Sequence, residues 1–314
     1  MRVYGPVPSR RFGLSLGIDL LPRKVCSFDC LYCQVGPTTR LIAEPEDFYP
    51  VDEVMADVEA ALAEGPRPDV ITLAGSGEPT LYASLEELLT RLRKLKAAPI
   101  LLITNSSLLW RRDVARAVVL ADILAPSLDA GDEATYRRLN QAHENCHYER
   151  MYAGLAEVTQ HHPGQVRLEV MLVRGVNDSA DQLGAIAARL SGLRFDVLEI
   201  NTPVRPPVPE RGALPCDEET LNRALLLFGP KARTIGGFAR GAAKEPGGPR
   251  RFTDDDKNVR EMLARRPCTA GDIVQSLSLA GEQVEGVLGR LVEAGFVEPM
   301  PGTQGQTYYR VRQG

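Results

Sequence analysis

No apolar run in this sequence approaches the ~20 residues needed to cross a bilayer, so no transmembrane helix is expected. Cysteine is sparse, six in 314 residues, and three of the six, Cys146, Cys216 and Cys268, stand alone. That distribution, in a chain this long, argues against a disulfide-stapled fold. Nothing resembling a signal peptide opens the chain, and reduced cysteines make the cytosol the expected compartment. The four histidines, His143, His147, His161 and His162, lie far beyond the remaining cysteines, which leaves no nearby partner to close a tetrahedral zinc site. A net charge of −4 gives no overall electrostatic case for nucleic acid. What is present is an apolar content of 44%, enough in this length for one large core and a smaller one.

The remaining cysteines are close together: Cys26, Cys30 and Cys33, in Cys-Ser-Phe-Asp-Cys-Leu-Tyr-Cys. Three thiolates on a short loop with no fourth ligand nearby would hold a cubane iron–sulfur cluster with one iron open, where a small molecule can be activated. Tyr32, between the last two cysteines, offers a ring for stacking on a flat heterocycle such as adenine.

This Cys-x-x-x-Cys-x-aromatic-Cys pattern resembles the radical S-adenosylmethionine (SAM) superfamily. The flanking stretches, Val7 to Pro22 and Gln34 to Thr38, resemble iron–sulfur oxidoreductases related to the enzymes that form the tricyclic wyosine base of tRNA. The resemblance covers roughly residues 1 to 210. It implies a [4Fe-4S] cluster on Cys26, Cys30 and Cys33, SAM as second cofactor, and an external one-electron donor. It further implies reductive cleavage of SAM to a 5′-deoxyadenosyl radical that takes a hydrogen atom from a substrate. Single-domain wyosine-forming enzymes carry further cysteines ahead of the radical motif; here no cysteine precedes Cys26.

Along the chain, apolar runs alternate with amphipathic helical patterns, the form of repeated βα units on a parallel sheet. Strands are expected at Leu14–Leu20, Val70–Ala74, Ile100–Thr104, Ile123–Ser127, Val166–Val173 and Val197–Asn201, and helices at Val51–Glu64 and Leu85–Leu95. Six units in about two hundred residues predict an α/β fold, a partial (β/α)6 TIM-like barrel open on one side, since a full eight-stranded barrel needs ~250.

Ligands in such folds gather at the carboxyl ends of strands. After the second expected strand comes Ala74-Gly75-Ser76-Gly77-Glu78-Pro79-Thr80, where glycines let the backbone approach a ligand. It matches the superfamily's Gly-Gly-Glu element with Ser76 as the middle residue, which implies that Gly75 to Pro79 bind the methionine end of SAM and Glu78 its ammonium. Thr104-Asn105 and Ser127-Leu128-Asp129 close the next two strands and resemble family positions that bind the methionine carboxylate or the ribose. Both also suit ordinary loop capping, as Gly-Ser-Gly suits an ordinary turn. Arg174 follows the fifth strand and is a candidate for the SAM carboxylate or an anionic substrate. Asn201 to Pro207 reads as a stiff loop that is expected to line the substrate mouth or pack under the adenine. His143 to His147 reads as a loop ahead of a helix near Tyr148 rather than a metal nest, with Cys146 a candidate substrate-facing thiol.

The domain reading is a barrel over residues 1–235, a basic Gly/Pro-rich linker over 236–253, and a small unit over 254–314. A helix over 217–228 belongs to the first of these. In the last, helices at 258–265, 269–277 and 282–294 and two short strands around Gly302 resemble a winged helix-turn-helix. Its seven positive charges face nine negative ones, and the third helix sets Glu282, Glu285 and Glu293 against Arg290. Such a helix repels phosphate, so the module is expected to contact a protein or present an RNA or peptide substrate rather than read DNA. The alternative is a cluster-based sensor with a regulatory winged helix and no turnover.

Overall fold

The computed structural model describes residues 2–9, 11–203, 211–235, 255–265, 267–277, 279–302 and 305–312. The expected linker and the loop from Val204 to Pro207 lie outside them.

The chain opens with an antiparallel hairpin of β1 (Val3–Ser9) and β2 (Gly13–Ile18). The cysteine-bearing arm follows, pinned by the parallel two-residue strands β3 (Val25–Cys26) and β4 (Arg40–Leu41). Then come α1 (Val51–Glu64), β5 (Val70–Leu73), α2 (Leu85–Leu95), β6 (Ile100–Thr104), α3 (Arg112–Val118) and β7 (Ile123–Pro126). Helices α4 (Glu133–Asn140) and α5 (Tyr148–His161) precede β8 (Gln165–Met171), α6 (Ala180–Leu190), β9 (Val197–Asn201), α7 (Glu218–Phe228) and β10 (Ala232–Thr234). The carboxy-terminal unit runs α8 (Asp255–Arg265), β11 (Cys268–Thr269), α9 (Ala270–Leu277), α10 (Gly281–Glu293), β12 (Val297–Pro301) and β13 (Thr307–Val311).

Helix boundaries follow local chemistry. Asp132, Ser179 and Asp217 cap α4, α6 and α7 by accepting the N–H of Thr135, Gln182 and Thr220. Gly65 ends α1 and returns its N–H to Ala61.

The main sheet has the order β1-β2-β5-β6-β7-β8-β9-β10, with β1 antiparallel and the other seven strands parallel. All six expected strands are present in chain order. β10 extends the parallel set to seven, and β1 adds an edge whose prolines, Pro6 and Pro8, suit an outer strand. Helix α9 packs against β1 and covers that edge.

Alternate residues of each strand divide the interior. Leu16, Ile18, Ile71, Leu73, Leu102, Leu168 and Leu198 pack beneath the helices in the main core. Val70, Leu101 and Ala125 meet Phe12, Ile103 and Ile123 on the concave face. The sheet is curved enough that Arg11, in the β1–β2 turn, reaches Glu169 on β8 and Glu199 on β9, at 2.6 Å each. Glu199 is fully buried and also holds Arg167 and Arg233. This network closes the floor of the partial barrel beneath the strand ends.

The carboxy-terminal unit has its own core, centred on Val259, Leu263, Ile273, Val284, Leu288 and Val297, beside the antiparallel sheet β11-β13-β12. Its helix–strand–helix–helix–hairpin order includes β11, which sequence periodicity is too short to reveal.

Candidate cluster and cofactor site

The cysteine arm is tied to four neighbouring segments. Its backbone accepts and donates at the end of α4, where the Asp29 and Leu31 N–H groups bond to Asn140 and Leu139 at 3.0 Å, and at the next loop, where the His143 N–H reaches Ser27. The Ser27 hydroxyl meets Ser107 at 2.7 Å and accepts from Asn105 Nδ2 at 2.9 Å. Arg211 grips both carboxylate oxygens of Asp29 and the Cys30 carbonyl. A loop fixed on so many sides is preorganised for a rigid ligand.

Cys26 and Cys30 are buried and Cys33 is half-buried. Two side-chain amides point at sulfur: Asn105 Nδ2 lies 3.7 Å from Cys26 Sγ and Asn140 Nδ2 lies 3.6 Å from Cys30 Sγ. Burial pushes the Cys26 thiol up to about 11 and raises Cys30 further. Lys24, only 4% exposed and in a left-handed conformation, bonds through its ammonium to Cys33 and feels the charge of Cys26 and Cys30. Burial lowers its pKa, but Cys33, Cys26 and Cys30 together outweigh that effect and raise it. Among the described residues no three His, Cys, Asp or Glu side chains converge as ligands of a single ion. A cubane presents a separate iron to each thiolate, and three soft donors with N–H groups aimed at sulfur fit that chemistry.

The Gly75-Ser76-Gly77 turn packs directly on this arm. A Cβ on Gly77 would overlap the Val25 carbonyl, and one on Gly75 would overlap the Asp19 carboxylate. The glycines are therefore required by contact between protein segments, before any ligand is considered. Ser76 donates both its N–H (3.0 Å) and its hydroxyl (2.6 Å) to Asp19 Oδ2. Glu78, 2% exposed, is a hub: Oε1 accepts from Thr80 N, Thr80 Oγ1 and Thr104 Oγ1, and Oε2 from Asn105 N, at 2.6 to 3.1 Å. Burial raises its pKa, against the pull of these donors. Pro79 starts a single 3-10 turn behind it. Glu78 thus joins the ends of β5 and β6, with Oε2 accepting from Asn105 N alone.

Asp129, just beyond β7, accepts from the Tyr32 hydroxyl, from Asn140 Nδ2 at 3.0 Å and from the Met171 N–H at 2.9 Å. Burial lifts its carboxyl to about 6. The Tyr32 ring packs beside Leu139, Met171 and Val173 with its hydroxyl anchored on Asp129, so ring and carboxylate form one unit. Ser127 is half-buried, and its carbonyl accepts from Ser106. Thr104, Asn105, Ser127, Asp129, Tyr32 and the glycine turn are thus gathered at the strand ends around the cysteines.

Arg174 is not gathered there. It is exposed, and its charge acts on Cys216 and Asp217. Asn177 of the same loop turns inward instead, with Nδ2 donating to the Asp129 and Met171 carbonyls at 2.7 Å each. His143 to His147 is a loop, its His143 ring accepting from the Asn145 N–H, and Cys146 is sealed at 1% exposure, so it does not face the mouth. Lys24, Asp19, Asn140, Asn177 and Arg211 lie beside the cysteine arm and the strand ends, which spacing alone does not single out; Asp19, polar at the end of an apolar strand run, carries the same signal as Asp129.

The model of the Radical SAM superfamily matches residues 21–183, which takes in the whole cysteine arm and the strands through β8. The chain belongs to the radical SAM superfamily. Members are enzymes that work with a [4Fe-4S] cluster and SAM. A UPF0026 protein of Methanocaldococcus jannaschii is 34% identical over 227 residues, 72% of this chain and 70% of that protein. A protein of Brachyspira hyodysenteriae named GTPase Obg is 33% identical over 296 residues, 94% of this chain but 43% of that protein. The chain therefore spans less than half of that relative, and the Gly-x4-Gly-Lys-Ser/Thr run that cradles nucleotide phosphates does not occur in it. Among solved structures, a radical SAM methyltransferase of Sphaerobacter thermophilus shares the fold, with a TM-score of 0.50 and 20% identity over 70% of this chain and 65% of that one.

Proposed function

We propose that Cys26, Cys30 and Cys33 hold the [4Fe-4S] cluster of a radical SAM enzyme whose substrate enters the open mouth of the barrel. The observation that carries this reading is the three thiols on one fixed arm, with the Asn105 and Asn140 amides on Cys26 and Cys30. When bound, cluster and SAM supply one-electron cleavage of the sulfonium and a carbon radical that takes hydrogen from substrate. The chain's own residues do the positioning. Glu78 aligns the ends of β5 and β6, Asn105 orients toward sulfur, and Asp129 with Tyr32 forms a fixed wall for the nucleoside. Glu169 and Asn201, both half-buried on the concave face, line the way to substrate. Electrons come from a separate donor.

The carboxy-terminal unit reads as a winged-helix-like docking module for a macromolecular substrate. The exposed face of α10 carries Glu282, Glu285 and Glu293, while Arg290 is engaged by Asp256 at 2.6 Å. That face repels phosphate and favours a protein contact over DNA.

Lys24 supplies an internal test. A buried cation beside the cluster favours its reduced, more negative state, so Lys24→Gln is expected to lower the midpoint potential by on the order of 100 mV. An EPR-monitored redox titration measures it, and an unchanged potential would remove Lys24 from the cluster's surroundings. The function itself is tested by anaerobic reconstitution followed by dithionite: 5′-deoxyadenosine and methionine should form in equal amounts. A well-loaded protein that makes neither would favour the sensor reading.

A further inference from the structure

Midway along its strands, the concave face carries more positive charge than its own carboxylates neutralise. Glu169, Glu199 and Arg233 stand in register on β8, β9 and β10, so their side chains form one row on that face. Arg11 enters the row from the opposite edge of the sheet, and Arg167, two residues before Glu169 on β8, faces the same way. Three guanidiniums thus share two carboxylates. All three meet on Glu199, with Arg11 on Oε2 at 2.6 Å, Arg233 on Oε1 at 2.6 Å and Arg167 also on Oε1. The buried Arg167 Nε finds no acceptor among the described residues, as expected where donors outnumber acceptors.

Two of the three keep donors for a ligand. Arg233 spends Nη2 on Glu199, is 51% exposed, and has no partner for Nε or Nη1 among the described residues. Arg11 spends Nη1 on both glutamates, and its side chain is 19% exposed. Because each holds one oxygen of the same carboxylate, the two guanidiniums stand side by side where the β10 edge approaches the β1–β2 turn. We infer that Arg11 and Arg233 form a subsite for an anionic group of the substrate, a carboxylate or a phosphate. Either anion matches the flat fork of a guanidinium and offsets the excess positive charge. The row lies two residues short of the ends of β8 and β9, so a substrate anchored there extends toward the cysteine arm. The inference rests on the reading that substrate enters the barrel, and it names a chemical class for that substrate.

The test is binding of inorganic phosphate and of acetate to the anaerobically reconstituted full chain, followed by phosphorus and carbon NMR titration at constant ionic strength. SAM is kept saturating, so that neither anion is read from the place of the cofactor's own carboxylate. At least one of the two should bind saturably, and the tighter one identifies the group. Arg233→Gln should weaken that binding by roughly 10- to 100-fold, the effect of losing a charge-assisted hydrogen-bond donor. Arg233→Lys, which keeps the charge but not the fork, should give a smaller loss and stands in if Arg233→Gln folds poorly. Arg223→Gln, at an exposed arginine of α7 paired with Glu219, should change nothing. No saturable binding of either anion, an affinity unchanged in both Arg233 variants, or an equal loss in Arg223→Gln would overturn the subsite. Cluster-loaded protein that forms no 5′-deoxyadenosine yet binds the anion in this Arg233-dependent way would overturn the enzyme reading alone.

Discussion

Cys33→Ala is expected to yield a folded protein that cannot hold its cluster. Cys33 is half-buried at the margin of the core, whereas Cys26 and Cys30 lie inside it, so this thiol is removed with the least cost in packing. Two thiolates leave two irons without protein ligands, and the cubane loses its grip on the arm. Iron content and visible absorbance should fall to background, together with 5′-deoxyadenosine formation, while the circular dichroism spectrum and melting temperature of the cluster-free protein stay near wild type. Cys146→Ala is the matching control. It removes a buried thiol outside the three-cysteine run and should cost stability of about 1–2 kcal/mol, the scale of a small core truncation, with cluster loading intact. If Cys33→Ala retained a full complement of iron, the ligand assignment would be wrong.

Glu199 carries the second large effect. It is fully buried between Arg11, Arg167 and Arg233, and Arg11 is the strap from the β1–β2 turn to β8 and β9. Neutralising it strands Arg167, 7% exposed and with Nε already unpartnered, among apolar neighbours and leaves Arg11 only Glu169. Breaking a buried ionic cluster on one side costs about 3–5 kcal/mol, so Glu199→Gln should shift the urea midpoint strongly downward. The double change Glu199→Gln with Arg167→Met should recover part of the loss, since it removes the stranded charge as well as its partner. A single variant as stable as wild type would mean that the floor of the barrel does not depend on this network.

The sequence foretold the scaffold well because its signals are local. Helical spacing of Val51, Val54, Met55 and Val58, with Gly65 behind them, defines α1, and the apolar runs define six parallel strands. β1 escapes that logic, because Pro6 and Pro8 read as loop, and β10 escapes it because three residues carry no period. The cysteines were legible because their chemistry depends on spacing along one loop. Lys24, Asn140 and Asp19 were not, since each acquires its role only when distant segments meet: Asn140 reaches Cys30 from the end of α4, and Asp19 faces Ser76 across two strands. Glu78 illustrates the converse. The motif marks the residue, but not the four donors from its own and the adjacent strand end that tie it between β5 and β6. Arg174 is exposed, because a loop's direction is decided by its neighbours, and in this loop Asn177 takes the inward place.

The central claim is that a cluster held by three thiolates keeps one iron open for SAM. The most direct measurement is the EPR spectrum of the reduced, reconstituted protein recorded with and without SAM. Binding at the open iron should change the g-values and produce hyperfine coupling to nitrogen-15 in α-amino-labelled SAM. A spectrum of the reduced cluster that is identical in both samples at saturating SAM would contradict the account.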